Sequence, residues 1–353
     1  MVVGDVRRVV GSGDGVRHVT QPPARWAGGA TRIAISLLIL GYLGSKVDWA
    51  KIGQRLLDAD PIWLALACLL FGLAFFLASL RWWLLLRVQM IRLSLRVVTA
   101  LTLIGQFFNS FLLGSTGGDV VRAFYAVTYN PLQRTHAMLS IIVDRAMGLF
   151  VVLSFALVGL WWQLGLVMQS NDIRLIGIGL LWLFAIGVIA VAGLLVTPFS
   201  RLPAIAHRIW RRIPRRRNFE LLVQGTRQHA KSPGRTCGAI LCSVGIQFLV
   251  FSAGYCIARA MGLNVTFGQM VIVLAVVTCV VSLPISIGGH GVREGAFVLL
   301  FAAFGVIPNS ALGGEGQEPA ILFSLLYFVL LAAWSLVGGL IYLTFRHASG
   351  EPS

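Results

Sequence analysis

Acidic residues are scarce in this chain. Thirteen Asp and Glu stand against 29 Lys and Arg, and all charged residues together fill only 12% of 353 positions. A soluble domain carries about 25% charged residues, so a water-facing globule is excluded. Cysteine is also sparse. Cys68, Cys237, Cys242, Cys256 and Cys279 all lie in apolar runs, and no Cys-x-x-Cys occurs. They read as small buried residues, not as a disulfide framework or a metal site. Alternating apolar segments of about 10 residues are missing, which excludes a transmembrane barrel. No ATP-binding loop occurs, so any energy input comes from an ion gradient, the membrane potential or a substrate gradient.

What fills the space is hydrocarbon. Hydrophobic residues make up 57% of the chain. Apolar runs cover Thr31–Ser45, Pro61–Leu86, Val97–Leu113, Ala137–Trp162, Ile173–Val196, Cys237–Met261, Phe267–Leu283, Val292–Val306 and Ala320–Phe345. Several reach the ~20 residues that span a bilayer. The net charge of +16 then reads as cytoplasmic loops against anionic headgroups, not as nucleic-acid binding, for which no motif is present. The first 30 residues, with Arg7, Arg8, Arg17 and Arg25, read as a disordered basic cytoplasmic arm. No Ala-x-Ala cleavage site follows the first run, which is expected to be retained as a helix.

The distribution of basic residues sets orientation. Arg81–Arg96 holds four arginines and no acid, and Arg201–Arg217 holds seven and no acid, so both read as cytoplasmic. The loops at Lys46–Asp60 and Trp161–Asp172 are balanced or nearly neutral, and Ser310–Pro319 carries Glu315 and Glu318, so these read as outside. Arg346 and His347 suit a cytoplasmic C-terminus. If every run crossed, these assignments would conflict. They agree if 97–130 enters from the cytoplasm and returns, and 267–306 enters from outside and returns. The expected fold is an all-α polytopic membrane protein, an inverted repeat with about six full crossings and two re-entrant helical hairpins. The first repeat is 31–162. The second is 173–346, with a basic cytoplasmic loop at 198–235 and a tail at 347–353.

Both hairpins carry the same spelling at their break. Gly117-Gly118-Asp119-Val120-Val121-Arg122 aligns with Gly288-Gly289-His290-Gly291-Val292-Arg293. The glycines allow a sharp turn. Asp119 stands where a helix cap belongs, before Val120–Tyr129, and Arg122 follows one turn later. A helix N-terminus and a guanidinium both suit a phosphate. The bland alternative is a capping Asp119 with Arg122 reaching to headgroups. In the second copy Pro284 ends the incoming helix, Arg293 replaces Arg122, and Glu294 can pair with Arg293. His290 replaces Asp119 and is either a proton-linked group or a structural donor. Charge at membrane depth is costly, so its repetition points to a transport site.

Asp144 and Arg145 interrupt another apolar run. Adjacent helix positions point about 100° apart, so each is expected to face its own partner, with Arg122 or Arg293 available to Asp144. The alternative is interfacial anchoring. Gln106 and Asn109 are placed to satisfy backbone groups freed at the first break, and Gln247 is a weaker case of the same kind. Arg208–Arg217 reads as a segment that binds anionic lipid headgroups. The pairs Trp82-Trp83 and Trp161-Trp162 read as interface belts.

Taken with Val143-Asp144-Arg145-Ala146-Met147-Gly148-Leu149, the two glycine motifs resemble those of the lysylphosphatidylglycerol synthase transmembrane-region family, the flippase-like membrane proteins. The resemblance covers about Ala30 to Arg346. It implies roles for Asp119, Arg122, Asp144, Arg145, Gly288, Gly289, Arg293 and Glu294. In bifunctional members this region is implied to move an aminoacylated phospholipid between leaflets after a separate soluble domain makes it. Only eight residues follow Phe345, so the synthase activity is not expected here. Stand-alone relatives point to glycolipid, hopanoid or lipid-linked sugar pathways. The expected function is a lipid flippase of the cell membrane for an anionic phospholipid, glycolipid or lipid-linked sugar. Arg122 and Arg293 hold the phosphate, Asp144 and Glu294 balance the empty site, and no cofactor or metal takes part. Two alternatives are a membrane glycosyltransferase on polyprenyl-phosphate sugars and a non-transporting partner of a lipid-synthesising enzyme. Against the former, acids are few, with no His-Glu-x-x-His and no nucleophile elbow.

Overall fold

Helix after helix begins where the sequence supplies a cap or a proline. Asp60 accepts a hydrogen bond from the Ile62 N–H (2.8 Å) and Pro61 takes the first helical position, opening α1, Pro61–Val88. The computed structural model describes residues 58–111, 117–169, 171–196, 228–229, 231–282, 291–313 and 316–344. It continues with α2 (Leu95–Phe111), α3 (Gly117–Tyr129), α4 (Arg134–Trp162, led in by a 3-10 turn), the short α5 (Leu164–Gln169) and α6 (Asn171–Val196). Then follow α7 (Pro233–Ala260), α8 (Phe267–Ser282), α9 (Val292–Ala303), a 3-10 turn at Asn309–Gly313, and α10 (Glu318–Thr344). No strand occurs among the described residues.

Four stretches are long and apolar enough to cross a bilayer: Pro61–Val88, Pro131–Trp162, Pro233–Ala260 and Glu318–Thr344. Only 22–44% of the apolar window in each is buried inside the protein. The remaining surface, with Ile62, Leu69, Trp161 and Leu343 exposed, finds its solvent in lipid. The protein is therefore an all-helical membrane protein. The N-terminal arm, the run Thr31–Ser45, the basic segment Arg208–Arg217 and Gly288, Gly289 and His290 lie outside the described residues.

α1 to α4 and α7 to α10 form two quartets of the same plan, long, short, short, long. Helix contacts come in matched pairs. Packing of α2 on α3 answers α8 on α9, α1 on α2 answers α7 on α8, and α3 on α4 answers α9 on α10. Between quartets, α2 on α10 answers α8 on α4. The most extensive contact joins the two leading helices, α1 and α7. These run antiparallel. The Asp60 N–H at one end of α1 donates to the Ala260 carbonyl (3.0 Å), and Arg235 donates to the Arg87 carbonyl (3.3 Å) at the other.

Small residues bring the backbones together. Gly118 lies so close to α2 that an added Cβ would collide with the Gly105 carbonyl, and one at Gly338 of α10 would collide with the Leu103 carbonyl. This alters the expected role of the first glycine pair. Gly117 and Gly118 sit within the first turn of α3. Gly118 is needed for close approach. Asp119, expected as the cap, is likewise inside the first turn, and its carboxylate faces arginines.

Candidate functional site

Burial of charge marks the site. Arg81 and Arg122 both reach Asp144, which is 2% exposed. Arg81 Nε donates to Asp144 Oδ1 at 2.7 Å, and the two terminal nitrogens of Arg122 donate to Oδ2 at 3.3 Å. Asp144 and Arg145 do face different partners: Arg145 Nε donates to Asp119 Oδ2 at 2.6 Å. Asp119 Oδ1 is 3.5 Å from Arg122. An alternating chain results, Arg81, Asp144, Arg122, Asp119, Arg145, with three cations and two anions. Arg122 also lies over the Trp82 ring, 4.1 Å from its centroid, a favourable place for a guanidinium.

α1 supplies Arg81 and α3 supplies Arg122 and Asp119. α4 supplies Asp144 and Arg145, whose adjacency in a helix sends one inward and one toward open space. Arg81 also donates to Ser243 of α7 (3.2 Å), tying the chain to the other quartet. Asn109 of α2 accepts from the Gly118 N–H at 2.8 Å and so satisfies one of the free donors at the start of α3.

The second quartet treats its arginine differently. Arg293 donates to Glu294 (2.7 Å) and to Ser324 Oγ of α10 (2.8 Å). Glu294 Oε2 accepts from the Gly291 N–H at 2.6 Å, and Gly291 turns the chain into α9 with φ of 83°. That φ is one that only glycine adopts at low cost. Here the acid is the arginine's own neighbour, whereas Arg122 takes its acid from the next helix.

A cavity of about 340 Å³ opens between the quartets. Gln106, Asn109 and Ser110 of α2, Arg145 of α4 and Thr278 of α8 give it polar wall. Arg293 and Phe297 of α9 and Tyr327, Phe328 and Leu331 of α10 line it with Leu274, Val277 and Val281 of α8. One cation from each quartet thus faces a single space whose remaining wall is largely apolar. The volume falls within the ~300–1,000 Å³ typical of small-ligand sites.

Of the residues singled out in the sequence, Gln106, Asn109, Arg145 and Arg293 meet at the cavity. Asp119 stands behind Arg145, and Glu294 holds Arg293. Arg122 does not line it: its guanidinium is taken by Asp144 and Trp82, which makes it a strut. Gln247 is buried in α7 away from the cavity wall. Sequence reasoning missed Arg81, read as the start of a cytoplasmic loop, and Trp82, read as an interface belt. Trp82 is fully buried and donates to Ser140 (3.2 Å). The signal for Arg81 was available, since it too is a charge inside an apolar run. Ser324 gave no signal, because serine is common in membrane helices.

Two other polar features stand apart. Asp58 and Asp60 form an Asp-x-Asp spacing, which the sequence reading against a glycosyltransferase took to be missing, but Asp60 serves as the α1 cap. Gln89 links His136 (2.9 Å) to His229 (3.0 Å) at the end of α1, and burial holds His229 below the usual imidazole range.

Comparison with known proteins places the chain among membrane proteins. The family model described as lysylphosphatidylglycerol synthase TM region matches residues 29–335. A UPF0104 membrane protein of Methanothermobacter thermautotrophicus is 23% identical over 323 residues, covering 86% of this chain and 94% of its own.

Proposed function

Because this chain belongs to the lysylphosphatidylglycerol synthase TM-region family, we propose that it moves a phosphate-bearing lipid between bilayer leaflets. The observation that carries this reading is the cavity between the quartets, with Arg145 and Arg293 on its wall and apolar side chains around them. Guanidinium groups offer forked donors to a phosphate oxygen pair. The apolar wall, formed by Val277, Val281, Phe297 and Leu331, suits the first methylenes of the lipid tails. Arg145 takes the place that the sequence gave to Arg122 in a two-arginine clamp.

In this reading the antiparallel quartets are inverted repeats in the cell membrane. The pairs α2/α3 and α8/α9 are re-entrant hairpins that enter from opposite faces, and both termini are cytoplasmic. Irregular backbone between short helices is tolerated at that depth when protein or a water-filled cavity surrounds it. In this reading the lipid is cargo, carried without covalent chemistry.

The test is flux in reconstituted phosphatidylcholine vesicles carrying a fluorescent phosphatidylglycerol, read by dithionite quenching. Arg145→Gln and Arg293→Gln each lower the rate at least tenfold, the cost of about 1.4 kcal/mol or more of lost phosphate contact. Unchanged flux in both variants would remove the proposal.

A further inference from the structure

Asp119 holds the cation that a lipid phosphate would meet. Its Oδ2 accepts from Arg145 Nε at 2.6 Å, while Oδ1 is 3.5 Å from Arg122 Nη1. Arg145 lines the cavity and its side chain is 53% exposed; Asp119 does not line it and is 15% exposed. A carboxylate and a phosphate use the same guanidinium donors. The two anions therefore compete for Arg145.

A displaced carboxylate has somewhere to go. Arg122 is one turn further along the same helix, and its Nε is buried with no hydrogen-bond partner. An unmade hydrogen bond at a buried donor is costly, so Arg122 gains by taking Asp119 more closely. Glu294 has no such freedom. One of its oxygens is fixed by the Gly291 N–H and the other by Arg293 and Ser324. The second quartet's cation is balanced by a carboxylate with both oxygens engaged, while the first quartet's is balanced by one that already lies between two arginines.

Building on the lipid-transport reading, we infer that Asp119 is a resident counter-ion, displaced from Arg145 onto Arg122 by the substrate phosphate and returning to Arg145 as the lipid leaves. Its return keeps a cavity containing two arginines from trapping an anion. Passage through a site requires binding weak enough to leave.

The experiment compares full-length variants by two readouts, affinity for dihexanoyl-phosphatidylglycerol in phosphatidylcholine nanodiscs and maximal flux in vesicles. Asp119→Asn removes the competitor but keeps the shape. It binds the probe on the order of tenfold more tightly while its maximal flux falls, and Asp119→Glu restores wild-type affinity. A merely structural Asp119 gives equal or weaker affinity in Asp119→Asn, which overturns the inference. Asp119→Ser gives the same two readings if Asp119→Asn does not fold. Arg145→Gln separates the two levels. Wild-type affinity in Arg145→Gln defeats the lipid site itself. Lost affinity there, with no tightening in Asp119→Asn, defeats only the counter-ion exchange.

Discussion

Asp144 is where the charges of the first quartet converge. It is 2% exposed and accepts from two arginines on two other helices. Removing one partner of a buried ion pair leaves the other uncompensated, at about 3–5 kcal/mol. Asp144→Asn is expected to lose about 3 kcal/mol of stability, read as a lower thermal midpoint in detergent. Adding Arg81→Met to that variant should recover part of the loss, since one stranded cation is then gone. An Asp144→Asn protein as stable as wild type would contradict the hub role. Arg122 illustrates what a sequence can and cannot say about such a residue. Its cost at membrane depth was legible from its apolar surroundings. Asp144 was legible as a candidate partner, whereas Trp82 and the sharing of Asp144 with Arg81 were not, because another helix, α1, brings them. Nothing in the spacing tells whether an intramembrane arginine faces a cavity or a carboxylate.

At the scale of helices, apolar runs announced the longer described elements, because a bilayer demands continuous apolar length; α3 was expected from the glycine motif and its cap, and the short α5 falls in a stretch read as a loop. Ends were less legible, since caps and prolines set them: α7 begins at Pro233, four residues before the apolar run. The first glycine pair was legible as a special position, yet its use was not. Gly118 works by close approach to Gly105, a property of the neighbouring helix. The re-entrant reading of α2/α3 and α8/α9 has a direct check. With native cysteines replaced, Asn130→Cys should react with an impermeant maleimide only from the cytoplasmic side and Asn309→Cys only from outside. Labelling of both from one face would rule out paired hairpins entering from opposite sides.

Across the whole molecule, two quartets of one plan pack through antiparallel α1 and α7, and the cavity lies between them. The repeated Gly-Gly-x-x-Val-Arg spelling pointed to two related halves. It did not disclose the asymmetry in how the two arginines are balanced, which rests on Asp144 in one half and Glu294 with Ser324 in the other. Arg145 and Arg293, one from each quartet, line a common wall. Lipid analysis of the purified protein reads this arrangement most directly. Wild-type protein should carry a phosphate-bearing lipid through detergent exchange, and the Arg145→Gln/Arg293→Gln double variant should lose it while remaining folded. Equal retention of the same lipid by both proteins would contradict a phosphate site between the quartets.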